Sequence, residues 1–210
     1  MRSRRIGRAV ATGWLFVIVL SATGTWGAEP VPQTGEQVAA AKGCGVCHVL
    51  PGESRGKRPG PVFLSPPPPQ APSEVLRRLW NHIPTMRQYF LARGMRWPEF
   101  RVEEMGELLA FLGMQPALER APNLERGHVL VLQKGCLKCH ALAGEGGRIG
   151  PDLTQYRQFR DPIPLATAMW NHAPAMLERI DQSGIPYPIF RQGEVADLMG
   201  YLGATANVLR

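Results

Sequence analysis

The pattern of apolar positions along the chain predicts a mostly helical protein. Leucine, valine and alanine fall in clusters with helical spacing, and two clear amphipathic examples are GELLAFLG at 106–113 and ADLMGYLG at 196–203. Long alternating runs of β-branched residues are missing from the sequence, so we expect little sheet. The predicted fold class is therefore all-α.

These two helical clusters belong to a longer internal repeat. Four further segments recur in the same order in both halves of the chain: 42–50 (KGCGVCHVL) with 134–142 (KGCLKCHAL), 60–61 with 150–151 (both Gly-Pro), 79–86 (LWNHIPTM) with 169–176 (MWNHAPAM), and 97–100 (WPEF) with 187–190 (YPIF). From Gly60 onward the offset between the halves is a constant 90 residues. The repeat indicates that one unit has been duplicated.

The repeat divides the chain into two predicted domains, 33–113 and 125–204. The segment 114–124 between them contains two prolines, at 116 and 122, and is expected to be the linker. With 210 residues and 44% hydrophobic side chains, the chain is long enough for two small domains. A domain of about 80 residues is small for an independent core. Each half is therefore expected to need a further stabilising element.

The first 27 residues have the layout of a secretory signal peptide. Four arginines precede an apolar run, Trp14 to Leu20, and small residues follow it. Cleavage is predicted after Gly27, with cleavage after Ala28 as the alternative. The apolar run is shorter than the roughly 20 residues of a membrane span, although retention as an N-terminal anchor is the second interpretation. The protein is expected to be periplasmic or exported, with membrane association only if the leader is retained.

The charge of the chain depends strongly on this leader. The full sequence carries a formal charge of +7, and removal of residues 1–27, which contain four arginines and no acid, leaves +3. The sequence has no basic stripe with interleaved aromatic residues, the pattern that nucleic-acid binding would need. No nucleic-acid partner is therefore expected.

All four cysteines lie in two Cys-x-x-Cys pairs, and a histidine directly follows each pair. Disulfides are one reading of four cysteines in an exported chain. A thioredoxin-like motif has the same spacing but belongs near a βαβ pattern, and a four-cysteine zinc site needs its pairs closer than the 88 residues that separate them here. None of these readings explains the histidines.

Covalent haem attachment explains every part of the motif. Two thiols that project from one tight turn can add to the two vinyl groups on one side of a porphyrin, and the next residue then lies beneath the iron as proximal ligand. The sequence therefore predicts two haem c groups, one for each motif. The attachment and proximal residues are Cys44, Cys47 and His48 in the first half, and Cys136, Cys139 and His140 in the second.

The order of signals in each half resembles the class I cytochrome c fold. A glycine-bearing helix, CxxCH, Gly-Pro, a helix with WNH, an aromatic-Pro-x-Phe turn and a final amphipathic helix follow one another in 33–113 and again in 125–204. The resemblance implies two tandem cytochrome c-like domains, each built around its haem. It also implies that the first and last helices of each half cross at a glycine and an aromatic residue, namely Gly35 with Phe111 and Gly127 with Tyr201.

The same resemblance gives the Gly-Pro dipeptides a role. In this family the backbone carbonyl of the Gly-Pro proline accepts a hydrogen bond from the proximal histidine and fixes the orientation of its ring. The matching positions here are Pro61 and Pro151.

The distal ligand is where the chain departs from the family pattern. Many class I cytochromes carry a Met-Pro turn before the last helix, but this chain has Trp97-Pro98 and Tyr187-Pro188 there. The duplicated WNHxPxM offers two candidates in each half. Met86 and Met176 are favoured, since they follow the proximal histidines by 38 and 36 residues; His82 and His172 are the alternatives. A thioether would favour ferrous iron and raise the potential, whereas a second imidazole would lower it.

The other residues of this motif have expected roles if methionine is the ligand. The asparagines and histidines would then bond to haem propionates or end the helix, and Trp80 and Trp170 would pack on the porphyrin rim.

The predicted function is transfer of single electrons between redox protein partners, and not catalysis. Six-coordinate irons would leave no open position for a substrate. Two alternatives are kept. The first is an enzyme that resembles di-haem cytochrome c peroxidases, which are usually longer and have inserted segments around an open haem. The second is a cytochrome subunit of a larger membrane redox complex.

Overall fold

A computed structural model describes residues 34–54, 56–64, 67–156 and 158–208. The predicted signal peptide, 1–27, lies outside these segments. Among the described residues, no helix is both long and apolar enough to cross a membrane. The described chain is mostly helical, as predicted. Its α-helices are α1 (Gly35–Ala41), α2 (Pro72–Ala92), α3 (Val102–Phe111), α4 (Leu124–Gln133), α5 (Pro162–Ser183) and α6 (Glu194–Val208).

The remaining regular structure is short. Four 3-10 turns occur, at Cys44–Val46, Pro116–Leu118, Cys136–Lys138 and Leu153–Gln155. Two strands, β1 (Ala141–Leu142) and β2 (Glu145–Gly146), form an antiparallel hairpin just after the second CxxCH. In the first half the corresponding region makes a single parallel bridge between Val49 and Val62. The two halves therefore differ in the segment that follows the CxxCH motif.

The first and last helices of each half cross at the predicted glycine and aromatic residue. A side-chain carbon built on Gly35 would overlap the backbone of α3 and the Cβ of Phe111, and one built on Gly127 would overlap the backbone of α6 and, at 2.6 Å, the Cβ of Tyr201. Only glycine lets the two helix backbones approach this closely. The predicted contacts are confirmed in both halves.

The two long helices, α2 and α5, form the core between the halves. Each has a proline as its first residue, where the missing N–H costs nothing. Asp161 caps α5 by accepting a hydrogen bond from the Ile163 N–H at 3.1 Å. The apolar faces of the two helices meet over Trp80, Ile83, Trp170 and Ala173, all of which are buried. The space left between these helices measures only about 20 Å³.

The predicted linker is tied to both halves by its charged residues. The carboxylate of Glu119 accepts hydrogen bonds from the Ser73 backbone N–H (2.7 Å) and hydroxyl (2.9 Å) at the start of α2. The next residue, Arg120, donates to the fully buried carboxylate of Asp197 in α6 at 2.6 Å, and Arg126 lies 3.1 Å from the other oxygen of that carboxylate. The middle of this segment is therefore bonded to both halves.

The Trp-Asn pair of each half binds the aromatic-Pro-x-Phe turn of the other half. We call this set of contacts the reciprocal interface; it comprises Trp80 and Asn81 with 187–190, and Trp170 and Asn171 with 97–100. The Trp80 indole donates to the Pro188 carbonyl and the Trp170 indole to the Pro98 carbonyl, both at 2.7 Å. The same bond, at the same length, is thus made in both directions.

The asparagines complete the reciprocal interface. Asn81 accepts from the Phe190 N–H at 2.9 Å and donates to the Phe190 carbonyl at 2.8 Å. Asn171 makes the same two bonds to Phe100, at 3.0 and 2.8 Å. Because both phenylalanines are 4% exposed, their backbone groups depend on these side chains for partners.

The prolines inside the long helices have a role in this interface. Pro84 and Pro174 have no N–H, so the carbonyls four residues earlier, those of Trp80 and Trp170, lose their helical donors. The Tyr187 hydroxyl donates to the Trp80 carbonyl at 2.9 Å, and the Trp97 indole donates to the Trp170 carbonyl at 3.1 Å. Each freed carbonyl is thus satisfied by an aromatic residue of the other half.

Candidate functional site

Each CxxCH motif folds into a single tight turn. The Cys47 and His48 backbone N–H groups both donate to the Cys44 carbonyl, at 3.1 and 2.8 Å. In the second half Cys139 and His140 bond to Cys136 in the same way, at 3.3 and 2.9 Å. These bonds bring two thiols and one imidazole onto one short stretch of backbone. This is the local geometry that attachment of a porphyrin at two adjacent positions needs.

The proximal histidines are oriented by the carbonyls that the resemblance implied. The Nδ1 atoms of His48 and His140 lie 3.0 Å from the carbonyl oxygens of Pro61 and Pro151, respectively. Because a carbonyl can only accept, Nδ1 carries the proton and donates. The other ring nitrogen, Nε2, is then left with its lone pair available to a metal ion. The predicted histidine–proline contacts are confirmed.

The glycine before each of these prolines is required by the ring itself. A Cβ built on Gly60 would lie 2.7 Å from Nδ1 of His48, and one built on Gly150 would lie 2.5 Å from ring atoms of His140. Any other residue would push the imidazole away from its carbonyl partner. In the first half, Phe63 also stacks on the His48 ring at a centroid distance of 4.5 Å.

The electrostatics of the cysteines differ from those of a redox dithiol. Burial raises the pKa of the Cys44 and Cys136 thiols to about 11, so both are protonated at neutral pH. A thioredoxin-like motif instead lowers the pKa of its attacking cysteine. None of the four cysteines, all of which lie in described segments, forms a disulfide. In the first half both thiols line a cavity.

A cavity of about 460 Å³ adjoins the first CxxCH motif. Its volume lies within the range of sites that bind cofactors and other small molecules. The wall of the cavity is mostly apolar. It includes both cysteines of the motif, the histidine that follows them, and aromatic residues from α3 and from the loop after Gly-Pro. These residues are Cys44, Cys47, His48, Phe63 and Phe111. These residues fit a flat apolar group with a metal at its centre. Such a group would be held covalently by the thiols and axially by the imidazole.

Both sets of predicted distal ligands come from the long helices. His82 and Met86 lie on α2 and line the cavity of the first half. The His82 ring faces the His48 ring at a centroid distance of 6.1 Å, and the His172 ring faces the His140 ring at 6.3 Å. Met176, on α5, is partly buried and packs against the core. The proximal histidine and both distal candidates of the first half are therefore brought to one cavity.

The distal histidines are held in the neutral form. Burial lowers the pKa of the His82 and His172 imidazoles, and the proximal histidine that faces each ring lowers it further. Neither ring makes a hydrogen bond within the described part of the chain.

The expected roles of the asparagines and tryptophans in WNHxPxM need correction. Helix α2 continues to Ala92 and α5 to Ser183, so Asn81 and Asn171 do not end them. Their amides are engaged in the reciprocal interface. Trp170 lines the cavity that adjoins the first CxxCH motif. The sequence feature that could have indicated this interface is that Trp-Asn and the aromatic-Pro-x-Phe turn occur together in both halves.

Sequence reasoning also missed a lysine that precedes each CxxCH. Lys42 forms an ion pair with Glu104 at 2.8 Å, and Lys134 pairs with Glu194 at 2.7 Å. Each ammonium also donates to a carbonyl of the aromatic-Pro-x-Phe turn, that of Glu99 or of Ile189, both at 2.7 Å. The lysines join the attachment motif to the turn and the last helix. Their recurrence in KGCGVCH and KGCLKCH was the available signal.

The glutamates of these pairs are charged and cap their helices. Burial by itself would raise the pKa of the Glu104 carboxyl, but the hydrogen bond from the Arg101 N–H and the Lys42 ammonium outweigh burial and lower it. The same balance lowers the pKa of Glu194, with Lys134 and the Arg191 N–H as its partners.

Comparison with known proteins adds no family assignment. No family model, no curated protein and no solved structure matches this chain. The function has to be argued from the site itself.

Proposed function

We propose that this protein is an exported cytochrome c that carries single electrons between redox protein partners through two covalently attached haems. One haem would be bound by Cys44, Cys47 and His48. The second would be bound by the corresponding residues of the second half, Cys136, Cys139 and His140.

One observation carries this proposal. In both halves two thiols and an imidazole lie on one tight turn, and the imidazole is fixed by a carbonyl so that only Nε2 remains for a metal ion. Structural disulfides would need neither the carbonyl nor the glycine that makes room for the ring. In the first half the same residues line a largely apolar cavity of about 460 Å³.

A bound haem would supply the reversible gain and loss of one electron. The residues of the chain would hold it, exclude water and set its potential. Apolar walls disfavour the more highly charged ferric form, and the hydrogen bond from Nδ1 to the proline carbonyl makes Nε2 a stronger donor. Both effects are built from groups that the structure places around the CxxCH turn.

The contacts between the halves favour transfer through both sites. Trp170 belongs to the second half, lines the cavity of the first and stacks on Trp97 at a centroid distance of 4.6 Å. Trp80 stacks on Tyr187 at 5.1 Å. A side chain of the second half thus borders the first site, and packed aromatic pairs join the two halves. A carrier that accepts at one site and donates from the other needs such a fixed relation.

The proposal is tested by haem content and redox behaviour. Protein made in a host that matures c-type cytochromes should have a denatured mass that exceeds the polypeptide by two haems. Replacing Cys44 and Cys47 together by alanine should remove one of them, while His48→Ala should leave both attached and one poorly ligated. A denatured mass equal to that of the bare polypeptide would overturn the proposal.

Electron transfer is then separated from catalysis by two measurements. The purified protein should exchange electrons with small redox mediators in a reversible titration that accounts for two electrons per chain. It should not turn over hydrogen peroxide at an appreciable rate. Rapid peroxide turnover together with carbon monoxide binding by one haem would instead favour the peroxidase-like enzyme.

A further inference from the structure

In each predicted haem site a second histidine ring lies close to the proximal one. In the first half the His48 and His82 rings have centroids 6.1 Å apart and planes inclined at 69°. In the second half the His140 and His172 rings are 6.3 Å apart and inclined at 70°. Two halves that have otherwise diverged widely thus keep the same separation and the same angle.

This separation matches what a metal ion between two imidazoles would need. Imidazole nitrogens bind first-row metal ions at about 2 Å, so two rings on opposite sides of one ion have centroids about 6 Å apart. The stacked ring pairs of this chain are closer, at 4.5–5.1 Å, but the edge-to-face pair of Phe63 and Phe111 lies at 6.0 Å. The separation of the histidines therefore leaves room for an ion, and the assignment also depends on the hydrogen bonding of the rings.

The hydrogen bonding of the rings supports the same assignment. His48 and His140 use Nδ1 on their proline carbonyls and keep Nε2 for the space between the rings. Neither His82 nor His172 makes a hydrogen bond within the described residues. His82 is partly buried, and polar ring atoms in such a position normally find a partner, whereas the exposed His172 can also bind water. A metal ion would be that partner for His82 and would replace water at His172.

The methionines are the other candidate ligands, and Met86 lines the same cavity as His82. Met86 and Met176 each follow the histidine of the same helix by four residues and so lie on the same face, one turn further along. Both are partly buried and pack against the apolar core. Their contacts are those of wall residues, and a flexible thioether fills such irregular space well.

We propose that His82 and His172 are the distal ligands of the two haems, so that each iron would be held between two imidazoles. This inference rests on the function proposed above. Sequence spacing favoured Met86 and Met176 as the distal ligands. The separation of the histidine rings favours His82 and His172 instead. Both sites would then be closed to external ligands, and their potentials would be lower than with a thioether.

The position of each distal histidine is fixed by the other half of the chain. His82 directly follows Asn81, whose amide is bonded to the backbone of Phe190, and His172 follows Asn171, bonded to Phe100. The reciprocal interface therefore anchors the helical turn that carries the ligand. Ligand geometry in one half depends on contacts with the other.

The test uses spectra of the purified protein with both haems attached. Ferric haem with a sulfur ligand shows a weak charge-transfer band near the red end of the visible spectrum, and ferric haem between two imidazoles does not. We expect low-spin ferric spectra without the sulfur band. A sulfur band in the unmutated protein that is lost in Met86→Leu or Met176→Leu would overturn the inference.

Matched variants separate the two helix positions. His82→Ala should convert half of the haem, that of the first site, to a high-spin form that binds carbon monoxide, and added imidazole should restore its low-spin spectrum. His172→Ala should do the same for the other half of the haem. Met86→Leu and Met176→Leu should leave all of the haem low-spin. The reverse pattern in these four variants would overturn the inference.

A further variant guards against simple misfolding. His82→Met places a thioether at the ligand position and should introduce the sulfur band into half of the haem without loss of secondary structure. No change in the spectrum of this variant would contradict ligation by His82. Absence of attached haem from the unmutated protein would refute the proposed function instead, so the two failures are distinguishable by mass alone.

Discussion

The reciprocal interface predicts that Asn171 contributes strongly to the stability of the whole chain. Its side-chain oxygen accepts from the Phe100 N–H at 3.0 Å, and its amide donates to the Phe100 carbonyl at 2.8 Å. In Asn171→Ala both backbone groups of a residue that is only 4% exposed lose their partners. The variant removes little apolar contact, so the effect is mainly that of two unpaired polar groups.

The magnitude follows from the burial of these groups. Leaving a buried donor or acceptor unpaired costs about 1–3 kcal/mol. Asn171 lies at the exposed edge of the interface, where water reaches part of the vacated space, so the lower part of that range applies to each group. The expected loss is about 2–3 kcal/mol for the pair. For a chain of this size that corresponds to a fall in Tm of about 4–12 °C.

The assay is thermal unfolding of the protein with both haems attached, followed by far-ultraviolet circular dichroism. Gln182→Ala on the same helix is the control, because it truncates an exposed amide that bonds only to Glu178 and Arg179. It should change the free energy of unfolding by less than about 0.5 kcal/mol. Asn171→Asp keeps the acceptor and should fall between the two. A Tm for Asn171→Ala equal to that of the control would refute the reasoning.

Three further predictions concern the site, the charge pairs and export. In Gly150→Ala the new Cβ should displace the His140 ring and leave the second haem attached but partly high-spin in its optical spectrum; Gly56→Ala, which meets nothing within 4 Å, should leave that spectrum unchanged. The pKa of Glu104 in the folded protein is lowered from its usual 4.5. Its charged carboxylate therefore stabilises the fold above pH 4.5, and this contribution is lost as the pH falls through the pKa of the folded state. Tm measured against pH should fall in acid less steeply for Glu104→Gln than for the unmutated protein. Sequencing of the mature N-terminus should begin at Ala28, and recovery of the intact leader in the membrane fraction would contradict cleavage.

The attachment motifs and their orienting carbonyls could be predicted from sequence because their geometry is local. The bonds within each CxxCH turn join residues three and four apart, and the proline carbonyl lies 13 residues from His48 and 11 from His140. The crossing of the first and last helices could also be predicted, since a glycine at the contact is required in both copies. In each case the sequence constrains the structure through one close approach.

The roles of the Trp-Asn pairs could not be predicted in this way. Trp80 bonds to a carbonyl 108 residues away, and Asn81 to a backbone 109 residues away. The partners of both side chains are main-chain groups, which every residue carries. The sequence therefore contains no particular residue type that marks the partner. The same limit applies to the distal ligand, because positions four apart on a helix share one face and spacing does not separate His82 from Met86.

The reciprocal interface has the form of a two-fold symmetric dimer contact. Each half has the same Trp-Asn pair and the same turn. The pair of each half binds the turn of the other half, as in an isologous contact between identical subunits. A single copy of the repeat with both elements could pair with a second copy in the same way. Within one chain that pairing does not depend on concentration. Each copy can also change separately, so that one polypeptide can hold two different sites that a homodimer would be forced to keep identical.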